Sequence, residues 1–174
     1  VLPRLIHGSH ALNFAEMALL KITPYSFTQY DKVQFFDGDV MPIKNMDCFF
    51  DLKYNTFTLG AVSPLNSGWF LGIPDSRAYQ YMLEKAIWRL GRDWDPTTGW
   101  KEAMPRGMVY RGGKQVEEWL FNGADMDQGL FAHYFPINHG KSILIDTQLQ
   151  TAKLFEKGIL ERPPFDISIA EALG

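Results

Sequence analysis

The sequence predicts an α/β domain, in which helices pack against a sheet. Three observations indicate this fold class. Short runs rich in Val, Phe and Thr alternate with segments of helical periodicity, Gly and Pro fall between them, and 46% of the 174 residues are hydrophobic. A chain of this length can form one domain with its own core, so we expect a single domain over residues 1–174. Cys48 is the only cysteine, so packing rather than an internal disulfide must hold the fold.

The first half of the chain is predicted to form one helix and three strands. Over residues 9–22 apolar side chains recur at helical spacing, Ser9 is a candidate N-cap, and Thr23-Pro24 is expected to end the helix. The strands are identified by their β-branched and aromatic residues. They are predicted over residues 32–36, 56–62 and 67–73.

The second half begins with a strong helix signal. Pro74-Asp75-Ser76 opens the segment "RAYQYMLEKAIWRL", and Gly91 closes it. Further along, helices are predicted over residues 126–135 and 147–157, and a strand is predicted over residues 141–146.

A long, irregular segment, the tryptophan-rich excursion (residues 92–124), separates these two groups of elements. Trp94, Trp100 and Trp119 lie in it, and three tryptophans argue against disorder. Their rings could stack on the apolar face of a ligand such as a sugar. Alternatively, they could pack the excursion onto the domain or onto a partner protein.

Charge and hydropathy narrow the range of partners. The formal net charge of −3 and the lack of a basic run argue against a nucleic-acid or anionic-membrane partner. No apolar run reaches the roughly 18–20 residues of a transmembrane helix. A lone cysteine suits a reducing compartment better than secretion. Because the sequence begins with Val1 rather than Met, we expect a truncated chain or a precursor trimmed after import into an organelle.

Two aspartates lie one residue apart at the end of the predicted strand "KVQFF". Residues i and i+2 point the same way, so Asp37 and Asp39 can face one point, and Gly38 leaves room for a close approach. Two convergent carboxylates repel unless a cation lies between them, and such oxygen ligands suit Mg²⁺ or Mn²⁺. The alternative is a plain Asp-Gly turn, although Pro42 would interrupt the second strand of a hairpin.

Three blocks of the sequence carry a resemblance to a known family. The first holds Lys21, then "FTQY", "KVQFF", Asp37-Gly38-Asp39, "KNMD" and "FFDL". The second is "LNSGWFLGIP", and the third is "DMDQGLFAHYF". In order and spacing they resemble the family 8 glycosyltransferases, the group that includes glycogenin and the galactinol synthases. The resemblance covers roughly residues 17–135.

The resemblance implies a GT-A-like fold, a Rossmann-like nucleotide-sugar domain with a mixed sheet. It further implies a retaining transferase that uses Mn²⁺ (or Mg²⁺) and a UDP-sugar donor, with an acceptor that the sequence does not indicate. On this basis Asp37 and Asp39 would hold the metal, and Asp37 would also lie near the ribose. Lys21 would add positive charge beside the diphosphate leaving group. A solvated lysine at a helix end is the alternative for Lys21.

The two later blocks supply residues for the donor sugar. Asp127 and Gln128 match the family's pair beside the sugar and its reacting carbon, and they are the candidate catalytic residues. Alternatively, Asp125 and Gln128 form a capping box at the start of a helix. In the second block, Asn66, Ser67 and Gly68 match the family's donor-binding motif. Alternatively, these residues form a turn that enters a strand.

Two features that the resemblance implies are missing from the sequence. The family opens with a uridine-binding strand, and no such strand precedes Asp37 at the right distance, so we expect the domain to lack it. The family also has a later metal-binding His; here His133 is expected to pack inside a helix, which leaves His139 as the candidate ligand. The alternative function is therefore a catalytically degenerate domain, a structural or interaction subunit of a larger, organellar assembly, docking through the tryptophan-rich excursion.

Overall fold

The computed structural model describes residues 13–43, 45–101, 104, 108 and 114–135, and the backbone of a strand at 142–145. Over these residues the protein is a mixed α/β structure with a four-stranded sheet, which confirms the predicted α/β class. The helices are α1 (Phe14–Leu19), α2 (Ser76–Leu90) and α3 (Asp127–His133). The strands are β1 (Val33–Phe36), β2 (Asn55–Thr58), β3 (Asn66–Gly72) and β4 (Ser142–Ile145). Two 3₁₀ segments cover Leu20–Ser26 and Asp47–Asp51.

The strands are ordered β1-β3-β2-β4, and β3 runs antiparallel to both of its neighbours. Because β4 runs parallel to β2, the strands β1, β2 and β4 share one direction, and their carboxyl ends lie at one edge of the sheet. At that edge Phe36 pairs with Trp69, and the Asp37 amide donates to the Gly68 carbonyl at 2.8 Å. This register places Asp37 beside the beginning of β3.

Helix α2 begins and ends where its flanking residues predict. The Asp75 carboxylate accepts hydrogen bonds from the backbone amides of Arg77 and Ala78, and Gly91 follows the last helical residue. The local sequence is sufficient to predict both ends of α2, because each capping group lies within three residues of the helix end that it caps.

Helix α1 is shorter than predicted, and a 3₁₀ helix follows it and extends past Thr23-Pro24. Within the described residues α1 begins after Asn13, which exchanges hydrogen bonds with Glu16 in a reciprocal capping box. The following 3₁₀ segment contains Pro24 and ends at Ser26. Pro24 has no amide hydrogen to donate within this segment, and the Thr23 hydroxyl beside it donates to the Leu20 carbonyl at 2.6 Å.

The strand predicted over residues 56–62 ends early, at Thr58. Its pairing with β3 shifts register after Phe57, and the chain then folds so tightly that a Cβ on Gly60 would lie 2.3 Å from Ser63 Oγ. A strand cannot continue through so tight a turn. The elements predicted at 32–36, 67–73, 126–135 and 141–146 are confirmed as β1, β3, α3 and β4, and the helix predicted at 147–157 lies outside the described residues.

The main core joins the sheet, α2, α3 and the described part of the tryptophan-rich excursion. Trp100 and Trp119 are 0% and 2% exposed, and Trp100 Nε1 donates to the Ala124 carbonyl at 2.8 Å. At Gly99 φ is +50°, and a Cβ there would lie 2.1 Å from the Trp119 ring. Trp100 and Trp119 are therefore core residues, and the hypothesis that they face a partner or a sugar is wrong. Trp94 is half-buried and packs on Trp100.

His133 packs inside this core, as the sequence predicts. Its Nε2 lies 2.9 Å from the Tyr81 hydroxyl, and its ring lies beside the indoles of Trp100 and Trp119. Burial, and then the charge of Lys85, lowers the pKa of His133 to about 3. His133 is therefore neutral near pH 7 and acts as a packing residue.

Replacing Trp100 by Ala is expected to lower the free energy of unfolding by about 3–5 kcal/mol, because the cavity left by a buried aromatic ring closes only in part. The matched control, Trp94→Ala at a half-buried position, should cost roughly half as much or less. Urea unfolding curves with unchanged slopes would measure both effects. Equal, small effects would show that Trp100 is not part of the core.

The lowered pKa of His133 predicts a loss of stability in acid. The unfolded chain takes up a proton on this imidazole near pH 6.5, whereas the folded chain does so only near pH 3. The free energy of unfolding should therefore fall as the pH drops from 6.5 towards 3, with a slope of at most about 1.4 kcal/mol per pH unit from this group. In His133→Gln, which cannot titrate, that part of the slope should vanish. The same slope in both proteins would contradict the assignment.

Candidate functional site

One cavity of about 550 Å³ opens at the edge of the sheet where β1 ends. Its walls come from α1 and the 3₁₀ segment after it, the turn after β1, the beginning of β3 and the start of α3. Eight of the nine site residues that the sequence predicts line this cavity, and the ninth, His139, lies outside the described residues. The eight are Lys21, Asp37, Asp39, Asn66, Ser67, Gly68, Asp127 and Gln128.

The Lys21 ammonium lies at the centre of the polar groups. Its Nζ is 2.7 Å from Asp37 Oδ2, 3.2 Å from Asp127 Oδ2 and 3.4 Å from Ser67 Oγ. The side chains of Lys21, Asp37 and Asp127 are 17%, 29% and 6% exposed. Lys21 is therefore not the solvated lysine of the alternative interpretation. It is an internal counter-ion that joins three segments of the chain.

Asp127 is the most enclosed of the acidic groups. The Ser67 hydroxyl donates to Asp127 Oδ2, the oxygen that Lys21 also contacts. Ser67 and Asp127 are both buried, at 2% and 4% exposure. Buried polar groups are costly unless they have hydrogen-bond or ionic partners, and here an ammonium and a hydroxyl supply them. Ser67 thus supports Asp127, a contact that the sequence does not predict.

The two aspartates of the turn after β1 differ in exposure and in partners: Asp37 is half-buried and contacts Lys21, whereas Asp39 is exposed. The Val40 amide donates to the Asp37 carbonyl at 2.9 Å, so a turn does follow Asp37, but among the described residues the next strand begins only at Asn55. A Cβ on Gly68 would lie only 2.9 Å from Asn66 Oδ1, so the turn beside Asp37 favours glycine at this position. Asp39 is exposed, and no other described residue pairs with it. A turn therefore follows Asp37, and the two aspartates on either side of Gly38 differ in exposure.

The Asn-Ser-Gly block also has a local structural role. Asn66 Oδ1 accepts from the Gly68 amide at 2.8 Å, which is ordinary turn chemistry. Thr58 Oγ1 donates to the Asn66 carbonyl at 3.2 Å and ties the same turn to β2. Both interpretations of this block therefore hold together: it forms the entry to β3, and it lines the cavity.

The proposed capping box of Asp125 and Gln128 is wrong. Met126 is the N-cap residue of α3 and makes no side-chain capping bond. Asp125 instead forms a 2.7 Å ion pair with Arg89 at the end of α2. Gln128 reaches the turn before β3, where its Oε1 lies 2.7 Å from Ser63 Oγ. These partners are 36 and 65 positions away, so no local pattern could reveal them.

The acidic groups of the cavity are the candidate metal ligands. Within the described residues no group of three or more His, Cys, Asp or Glu side chains could together hold an ion. Asp37 keeps Oδ1 outside its contact with Lys21, and Asp39 is exposed beside it. Oxygen donors of this kind suit Mn²⁺ and Mg²⁺, which complete their shells with water and phosphate oxygens. The two residues therefore fit such an ion in donor chemistry.

Comparison with known proteins does not identify a family for this chain, so the likeness to the family 8 glycosyltransferases stays a resemblance. No protein-family model, curated protein or solved structure matches the chain. Within the part of the chain that the structure describes, no helix has the length and apolar character needed to cross a bilayer.

Removing the Lys21 charge should destabilise the fold, because Asp127 would be left enclosed without a cation. We expect Lys21→Met to cost about 2–4 kcal/mol of unfolding free energy. Asp127→Asn should cost much less in that background than in the native chain, with a coupling of roughly 1–3 kcal/mol. Lys53→Met, at an exposed position, serves as the control and should change stability by less than about 0.5 kcal/mol. Additive effects of the two site substitutions would contradict the ion pair.

Proposed function

We propose that the protein is a retaining glycosyltransferase of GT-A-like fold, which transfers a sugar from a UDP-sugar with the help of Mn²⁺ or Mg²⁺. One observation carries the proposal: residues named from three separate sequence blocks line a single cavity. Chance matches to short motifs would have no reason to meet in space. The cavity volume of about 550 Å³ lies within the usual range for small-molecule sites.

The position of the cavity in the sheet is a second supporting argument. In open α/β sheets, ligands bind beyond the carboxyl ends of the strands. The cavity adjoins that end of β1, and β3 runs antiparallel to the other three strands. A mixed sheet with a cavity at this edge therefore supports a GT-A-like domain.

Asp37 and Asp39 are the residues that would hold the metal. A bound divalent ion supplies a Lewis acid that stabilises the charge of a diphosphate leaving group. Lys21 brings a second positive charge to the same place, held ready by its contacts with Asp37 and Asp127. The positive charge of this ammonium would stabilise a leaving phosphate, although its three hydrogens already face Asp37, Asp127 and Ser67.

Asp127 and Gln128 form the wall where the sugar would lie. The Asp127 carboxylate is held in place by Ser67 and Lys21, and it could accept hydrogen bonds from sugar hydroxyls and stabilise positive charge that develops at the reacting carbon. Its low exposure strengthens both effects, because water screens them less.

A second function, that of an interaction subunit, is favoured by one specific observation. An apolar groove of about 430 Å³ lies beside the cavity and shares Asn66 and Gly68 with it. Met41 and Ile43 on its rim are 84% and 90% exposed. Large exposed apolar side chains grouped in this way are common where proteins bind a partner. If the domain has lost its chemistry, this groove rather than Trp100 or Trp119 would carry the interaction.

The enzymatic proposal predicts that UDP and Mn²⁺ together stabilise the protein. At 100 times its dissociation constant the nucleotide should add about 2.7 kcal/mol to the free energy of unfolding, and little of this should appear without the metal. Melting temperatures measured with UDP, Mn²⁺, both or neither would test this.

Asp39→Asn gives the sharpest variant for this experiment, because Asp39 is exposed and pairs with no other described residue. The native melting temperature should be unchanged, while the metal-dependent effect of UDP should disappear. Asp31→Asn, an exposed aspartate outside the cavity, is the matched control and should keep the effect. No response of the native protein to UDP, with or without Mn²⁺, would refute the enzyme and favour the interaction subunit.

A further inference from the structure

The Ser63 hydroxyl lies between two oxygen atoms. Ser63 is 1% exposed, and its Oγ is 2.6 Å from the Leu65 carbonyl oxygen and 2.7 Å from Gln128 Oε1. A hydroxyl carries one hydrogen, so it can donate to only one of these acceptors. The other oxygen would then face the Ser63 lone pairs at hydrogen-bond distance, a repulsive contact in a buried place.

Turning the Gln128 amide by half a turn removes this conflict. The two ends of a side-chain amide have nearly the same shape, so the hydrogen-bond network decides which end faces which partner. With Nε2 towards Ser63, Gln128 donates to Ser63 Oγ, and Ser63 donates to the Leu65 carbonyl. The rotation breaks the hydrogen bond from Nε2 to the Asn122 carbonyl, which at 3.5 Å is already at the outer limit of such a bond.

The turned amide changes what the cavity offers to a ligand. After the rotation Gln128 Oε1 replaces Nε2 at 3.5 Å from the Asn122 carbonyl oxygen. Both residues line the cavity. Gly123 leaves space for this arrangement, since its φ is +75° and a Cβ there would lie 2.7 Å from that end of the amide. Two acceptors side by side at a cavity wall fit a hydrogen-bond donor between them.

We propose that Ser63 is a positioning residue, which fixes the Gln128 amide so that its oxygen and the Asn122 carbonyl form an acceptor pair for a hydroxyl group of the bound sugar. The orientation of the amide stands on the hydrogen-bond geometry alone. The identity of the ligand group rests on the proposed function.

The orientation can be measured by NMR on the ¹⁵N-labelled native chain. The Gln128 side-chain amide is identified as the pair of signals missing from Gln128→Glu. If Nε2 donates to the enclosed Ser63, at least one of its protons should exchange with water about 10-fold more slowly than those of the exposed Gln115 amide. Exchange as fast as that of Gln115 would overturn the orientation, and this result does not depend on any variant folding. In Ser63→Ala the protection should be lost.

The ligand half of the inference is tested by binding in the presence of Mn²⁺, with UDP, UDP-glucose and UDP-galactose as probes. Ser63→Ala should weaken the better-binding UDP-sugar by about 3- to 10-fold and leave UDP unchanged, because only the sugar reaches the acceptor pair. Equal weakening of UDP and UDP-sugar would overturn the sugar contact. If the native protein binds none of the three, the proposed function and the sugar contact fail together, while the exchange measurement still decides whether Ser63 orients Gln128.

Discussion

The candidate site depends on one interaction, the contact of the Lys21 ammonium with the carboxylates of Asp37 and Asp127. These three side chains come from different segments and meet in a place with little access to water. The ammonium contacts both carboxylates and so fixes the position of both. With Asp39, the cavity holds three carboxylates against one ammonium. Under the proposed function, a divalent ion would offset the remaining formal charge.

The register of β1 on β3 is what allows this interaction to form. Phe35 stacks on Phe70 in the main core at 5.0 Å between ring centroids. Phe36 instead packs against a second, smaller hydrophobic cluster on the other face of the sheet, in which Phe49 packs on Trp69 at 4.9 Å. A slip of one residue would exchange the two faces of the strand and place each ring in the wrong core. Two separate aromatic clusters therefore hold β1 in register, and the same register sets Asp37 against the beginning of β3.

Sequence reasoning succeeds wherever the determining residues are close in the chain or belong to a recognisable block. Helix α2 is predicted from its own flanks, and the cavity residues are predicted from motifs whose spacing is itself the signal. It fails where a side chain has a distant partner. Asp125 and Gln128 have the spacing of a capping box, but Arg89 and Ser63 offer stronger contacts, and nothing near Asp125 or Gln128 in the sequence marks either partner. The same holds for Trp100: composition indicates an ordered segment, but only packing decides whether a tryptophan faces the core or the surface.

The cavity and the groove, which would carry the two candidate functions, lie on opposite faces of strand β1. Along β1 successive side chains point to opposite sides of the sheet, so Phe35 lines the polar cavity and Phe36 lines the apolar groove. The turn after β1 closes the cavity with Asp37 and Asp39 and then forms the rim of the groove with Met41 and Ile43. Whatever occupies the groove contacts the segment that carries the two aspartates. The turn that carries Asp39 therefore borders both surfaces, and the cavity and the groove also share Asn66 and Gly68.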